Sequence, residues 1–209
     1  MELRGLRGMS KINYSYPFLG LALIVAGVNP FSIEVSSSQE IAKFSFDMMI
    51  VWGGGLIGIW LSKTIYSKGP KALLGFLDFN LRTRGLFLSW LIGGAIVTYW
   101  YLPGPFELSV SSFSAKSIQL FLFVVAGILS GIGWDAMPKV WKSITIFAIF
   151  SMMATMAEIF LEMGSYYAVD FYRPYPVSQL VETSYFLFAM AFVPSTYYMV
   201  KILKDLDIF

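Results

Sequence analysis

Apolar residues fall in six long stretches, at 14–28, 44–65, 85–102, 117–134, 141–163 and 181–202, separated by short polar or breaker-rich connections. A hydrocarbon core about 30 Å thick takes roughly 20 helical residues to cross, and most of the stretches approach that length. The pattern predicts an all-α, polytopic membrane helix bundle with six transmembrane helices, built as a single integral membrane domain over residues 1–209. The first stretch is the shortest. It reaches span length only if Lys11 and Asn13 snorkel at one interface and Asn29-Pro30 ends the helix at the other. Because Arg4, Arg7 and Lys11 precede it, it also reads as a signal peptide, although Ala26-Gly27-Val28 is a weak small-residue cleavage site.

The connections alternate in charge. Arg4, Arg7 and Lys11 lie before the first stretch; Lys63, Lys68, Lys71, Arg82 and Arg84 lie around the second connection; Lys139 and Lys142 lie in the fourth; Lys201 and Lys204 lie at the C-terminal end. Lys43, Lys116 and Arg173 are the remaining three of the fifteen basic residues and fall on the opposite side. Short loops rich in Lys and Arg stay cytoplasmic during insertion, so both termini are expected in the cytoplasm of a cell-membrane protein. The net charge of +2 is gathered at span ends, where anionic headgroups lie, and marks lipid rather than nucleic acid as the partner.

Breakers mark the predicted boundaries: Asn29-Pro30, Leu102-Pro103-Gly104-Pro105, Met137-Pro138 and Arg173-Pro174-Tyr175-Pro176. Ser178 or Thr183 is expected to cap the last helix, and Pro194 to kink it. The exterior connections 32–38 and 108–114 are Ser-rich and read as solvated loops, the second with extended pieces, or as a lip for a partner. Gly54 and Gly58, and Gly127 and Gly131, are GxxxG pairs that let helix backbones approach, either inside the bundle or against a partner subunit. The six Trp residues stand mostly toward span ends, as interfacial anchors do.

The chain has no Cys and no His. Disulfides, thiol nucleophiles, iron–sulfur clusters, His-ligated haem, imidazole-bound metal and Ser-His-Asp chemistry are thereby excluded from the chain itself. No catalytic, cofactor-binding or metal-binding residue is assigned, and no cofactor is expected. Met152, Met153, Met156 and Met163 are read as packing, since thioethers alone leave a copper site incomplete.

One polar arrangement stands out. Ser151, Thr155, Glu158, Glu162 and Ser165 recur at helical spacing on one face of the fifth stretch. Asp47 and Glu182 are expected at similar depth, so four carboxylates would converge, with Arg173, Lys43 and Lys116 as cations. Three roles compete: a site that binds cations or passes protons, a structural pairing network, or a face that meets a cationic patch on a partner. The pairing reading places Glu158 and Glu162 against other helices, with Arg173 and Glu182 completing the network.

Asn29-Pro30 followed by Glu34, and later Tyr172-Arg173-Pro174-Tyr175-Pro176-Val177-Ser178-Gln179-Leu180 before the last stretch, resemble a group of archaeal multi-span proteins from hot-acid habitats. That group is distantly similar to the membrane-embedded copper-assembly factors of cytochrome c oxidase. Those factors use membrane His residues, whereas this chain reads Asp47-Met48-Met49-Ile50-Val51-Trp52 at the comparable place. The resemblance implies a supporting role beside archaeal respiratory or other copper and haem complexes. The expected function is therefore a non-catalytic accessory subunit whose membrane partners carry any redox cofactors. The alternative is a small transporter or a proton- or cation-conducting protein using the carboxylates of the fifth helix. An intramembrane enzyme is the third reading, with no residues to carry it.

Overall fold

The structure, a computed structural model, describes residues 13–169 and 171–205, with side chains as far as residue 201. Arg4, Arg7 and Lys11, and the side chain of Lys204, lie outside the described residues. Among these residues the chain forms nine helices: α1 Ser15–Val28, α2 Pro30–Ser38, α3 Glu40–Lys68, α4 Lys71–Arg82, α5 Phe87–Trp100, α6 Pro103–Ser111, α7 Phe113–Ala136, α8 Lys139–Tyr167 and α9 Val177–Asp205. Four of them, α3, α7, α8 and α9, are long and apolar enough to cross a membrane, and α1 with α2 makes a fifth if that bent pair is one span.

The other two expected spans differ from the simple pattern. The 14 residues of α1 cover only about 21 Å. The chain does not stop at Asn29-Pro30 but turns by 53° into α2. Asn29 makes this bend: its Oδ1 accepts from the Ser32 N–H at 3.0 Å as an N-cap, and its Nδ2 donates to the Ala26 carbonyl at 2.7 Å. Pro30 follows at the first helical position, where its missing N–H costs nothing. The third stretch forms α5, with eight π-helical residues at Phe87–Gly94 before six α-helical ones, and is likewise shorter than a full crossing.

Both Ser-rich connections are helices rather than loops. Hydroxyl groups that read as solvated fold back instead: Ser36 donates to the Ile33 carbonyl, Ser37 to that of Glu34, Ser109 to that of Phe106 and Ser111 to that of Glu107. Pro103, like Pro30, opens its helix with a preset φ. Pro194 lies inside α9, which continues through it.

The described residues fall into two compact units, one holding those up to 37 and 42–138, the other 38–41 and those from 139 onward. In the first unit, α3 packs on α7 through the two GxxxG pairs. A Cβ on Gly54 would stand 2.7 Å from the Val124 carbonyl oxygen, and one on Gly58 would overlap the backbone of Ile128. The glycines therefore serve packing within the chain. Ile50, Trp100 and Phe123 form one core of this unit, and Ile65, Leu77, Leu88 and Ile132 another. Trp100, expected at an interface, is in the core because α5 is short and brings its last turn against α3 and α7. In the second unit α8 packs along α9, burying Met153, Ala157 and Phe160 on one helix and Leu180, Thr183, Leu187 and Ala191 on the other.

Candidate functional site: charges buried in apolar helices

Lys43 and Asp47 stand one turn apart on α3, and the ammonium and carboxylate meet at 2.7 Å with both side chains almost wholly buried. Lys43 Nζ also donates to Gln119 Oε1 of α7 at 2.5 Å and lies 5.6 Å from the centre of the Phe106 ring. One turn before Gln119, Lys116 donates to Ser36 Oγ of α2 at 2.6 Å. The first unit thus buries two amines and one carboxylate among α2, α3, α6 and α7. Phe44 stacks on Tyr101 beside them, with ring centroids 5.0 Å apart. Charged groups inside apolar helices persist only when paired and shielded from lipid, and each of these three has a polar partner. Gln119 completes the arrangement with its oxygen, while its Nε2 is buried without a partner among the described residues.

The second unit holds a different polar knot. Thr183 donates to Glu40 Oε2 at 3.0 Å, and the Glu40 N–H donates to Gln179 Oε1 at 2.8 Å. Gln179 Nε2 in turn donates to the Ser38 carbonyl at 3.0 Å. The side chain of Gln179 therefore ties down the N-terminus of α3, satisfying one of the N–H groups every helix leaves open there. Glu40 Oε1 is buried with no partner among the described residues, and Glu40 lines a narrow crevice with Phe171, Tyr172, Tyr175, Pro176 and Leu180. Phe160, Phe171 and Tyr172 form an edge-to-face aromatic group behind it. Burial, and then the nearby negative charge of Glu40, push the Tyr172 phenol above its ordinary range. The Tyr-x-Pro-Tyr-Pro segment is the wall of this knot. Its helix starts at Val177, so Thr183 lies too deep to cap it and serves Glu40 instead.

Of the residues singled out by pattern, Asp47 is central, but its cation is Lys43, one turn back on its own helix, and not Arg173. Ser151, Thr155, Glu158 and Glu162 do share one face of α8, as their spacing requires, and that face is exposed. At 100° per residue it points away from the side that carries Met153, Ala157 and Phe160 into α9. Arg173 and Glu182 are exposed as well, so the network expected to enclose Glu158 and Glu162 is not formed among the described residues. No three carboxylates gather closely enough there to hold a metal ion. Small side chains decide this: Ala157 lets α9 approach on one side of α8, leaving the polar stripe on the other. Gln119, Ser36, Glu40, Thr183 and Gln179 escaped the sequence pattern. The i,i+4 spacing of Lys43 and Asp47 and the i,i+3 spacing of Lys116 and Gln119 were the available signals.

The fold and these buried groups define an all-α protein whose long apolar helices carry paired charges. The chain belongs to the family described as "Protein of unknown function (DUF1404)", which matches residues 18–205. No curated protein and no solved structure matches it.

Proposed function

We propose that this protein is a non-catalytic accessory subunit of a larger complex in an archaeal cell membrane, of respiratory type, with both termini cytoplasmic. Its partners supply the redox cofactors, as the likeness to copper-assembly factors of cytochrome c oxidase suggests. The observation that carries this reading is the polar stripe of α8. Two carboxylates, a threonine and a serine lie on the exposed face of a helix long and apolar enough to span the bilayer. A carboxylate facing acyl chains costs about 2.5 kcal/mol or more, and a partner helix bearing Lys, Arg or hydroxyl groups removes that cost. The paired charges of α3 and α7 need no such partner and hold the first unit together.

A photo-crosslinking side chain at Met152 or Ile159, both exposed beside the stripe, tests this in source membranes. A crosslink to a second polypeptide is expected, and Glu158→Gln with Glu162→Gln should weaken it about tenfold, the scale of losing one charge-assisted contact. Crosslinks to lipid alone, with a monodisperse chain in gentle detergent, overturn the reading.

A second reading, a proton- or cation-conducting protein, gains support from the buried Lys43–Asp47 pair rather than from the α8 carboxylates. It requires flux into liposomes that Asp47→Asn abolishes; flux no greater than in empty liposomes dismisses it.

A further inference from the structure

The α4–α5 corner has features that neither the buried charges nor the α8 stripe uses. On α4, Leu77 and Asn80 face inward, Phe76 and Phe79 are exposed on one flank, and Lys71, Asp78 and Arg82 occupy another. A helix with these three faces lies in a membrane interface, its aromatic flank in the acyl region and its charges among headgroups. Phe79 meets Phe87 edge to face at 5.2 Å, which carries the apolar flank onto α5. There it opens into a shallow hollow of about 440 Å³ lined by Thr83, Leu86, Phe87, Trp90 and Leu91.

Arg84 sits in the chain between two residues lining this hollow, Thr83 and Leu86. It has φ of +53°, in the left-handed region that non-glycine residues seldom adopt, and Gly85 follows at +73°. The corner is built that way because Gly85 must press its backbone against Gly133 of α7, while its N–H donates to the Asn80 carbonyl at 2.8 Å. The Arg84 side chain is left exposed. Arg82, two residues earlier, is exposed too but is held by Asp78 at 2.8 Å. A shallow apolar hollow whose lining segment also carries an exposed arginine, Arg84, matches one chemistry: an acidic headgroup on an acyl chain.

We propose that this corner is a binding site for an anionic phospholipid, its phosphate on Arg84 and its chain along Phe87, Trp90 and Leu91. Inorganic phosphate matches only half of it, since nothing then fills the hollow. The site rests on the membrane-embedded reading of the chain and not on the existence of a partner subunit.

The full chain is reconstituted in phosphatidylcholine vesicles doped with chain-brominated phosphatidylglycerol or, at equal mole fraction, chain-brominated phosphatidylcholine. Bromine quenches nearby indoles, and the difference between wild type and Trp90→Phe isolates the signal of Trp90. Quenching of Trp90 by the anionic lipid is expected to exceed that by the zwitterionic lipid about fivefold. Arg84→Asn, which tolerates the left-handed backbone but lacks the charge, should bring the ratio near one, and Arg84→Lys should restore part of it. Equal quenching by the two lipids, a preference that survives Arg84→Asn, or full competition by free phosphate overturns the site. Failure to insert into either vesicle would strike the membrane reading instead, and intact insertion with no lipid preference strikes only this one.

Discussion

An ammonium group with no exposed surface, such as that of Lys43, is held by what it touches: Asp47, Gln119 and the face of Phe106. Removing one member of a buried pair leaves the other charge uncompensated, which costs about 3–5 kcal/mol, whereas replacing both by apolar groups of similar volume is often neutral. Asp47→Leu is therefore expected to lower the unfolding temperature in detergent sharply, and Lys43→Met combined with Asp47→Leu to recover most of the loss. Additive effects of the two single changes would show that the pair is not a unit. This coupling was half legible in the chain. Lys43 was expected among three cations near the carboxylates, but nothing beyond its i,i+4 spacing singled it out over Lys116 or Arg173 as the partner of Asp47. Gln119, a neutral amide inside an apolar run, gave no charge signal at all. The Glu158 and Glu162 stripe was legible as a stripe and not as to which way it faced, because periodicity shows that residues share a face and is silent on what covers it.

At the level of elements, the long apolar stretches were read correctly as helices where length alone decides, in α3, α7, α8 and α9. The errors cluster where side chains reshape the backbone. Ser hydroxyls returning to their own helix turned two expected loops into α2 and α6, and an Asn–Pro pair turned an expected stop into a bend. The GxxxG pairs were legible as packing sites, and their geometry makes them unequal to other glycines. Gly58→Leu should destabilise the chain by several kcal/mol, more than the 1–3 typical of overpacking, since the added atoms meet the Ile128 backbone rather than a movable side chain. Gly75, in α4 with nothing within 4 Å of where a Cβ would stand, should become more stable by about 1 kcal/mol as Gly75→Ala. Thermal unfolding of the two variants side by side checks the contrast, and a Gly58→Leu protein that unfolds like wild type would mean that α3 and α7 do not pack through this motif.

On the scale of the whole molecule, the distribution of Lys and Arg predicts both termini in the cytoplasm, and the absence of native cysteine makes that prediction directly testable. Single cysteines at Ser37 and Ser114, both exposed, should react with an impermeant maleimide from outside intact cells, and one at Lys68 should react only after permeabilisation. Labelling of Ser37→Cys from the cytoplasm alone would invert the topology. Length and hydropathy were enough to see that the chain is all-α with helices long and apolar enough to cross a membrane. They were not enough to foresee that the first stretch bends by 53° into α2 or that the third forms a helix of only 14 residues, so that neither α1 nor α5 is long enough alone to cross.

The partners of Glu40 lie far along the chain. Gln179 and Thr183 follow it by 139 and 143 residues. Ribosomes add about 5–20 residues per second, so Glu40 exists for roughly 7 to 30 s before the groups that hold the first turn of α3 are made. Through that interval the Glu40 carboxyl has neither Thr183 nor the Tyr172 wall, and the amide of its first turn lacks Gln179. The start of α3 therefore waits for the last helix to supply its side-chain partners, and a ribosome halted before residue 177 leaves the Glu40 carboxyl and amide without them.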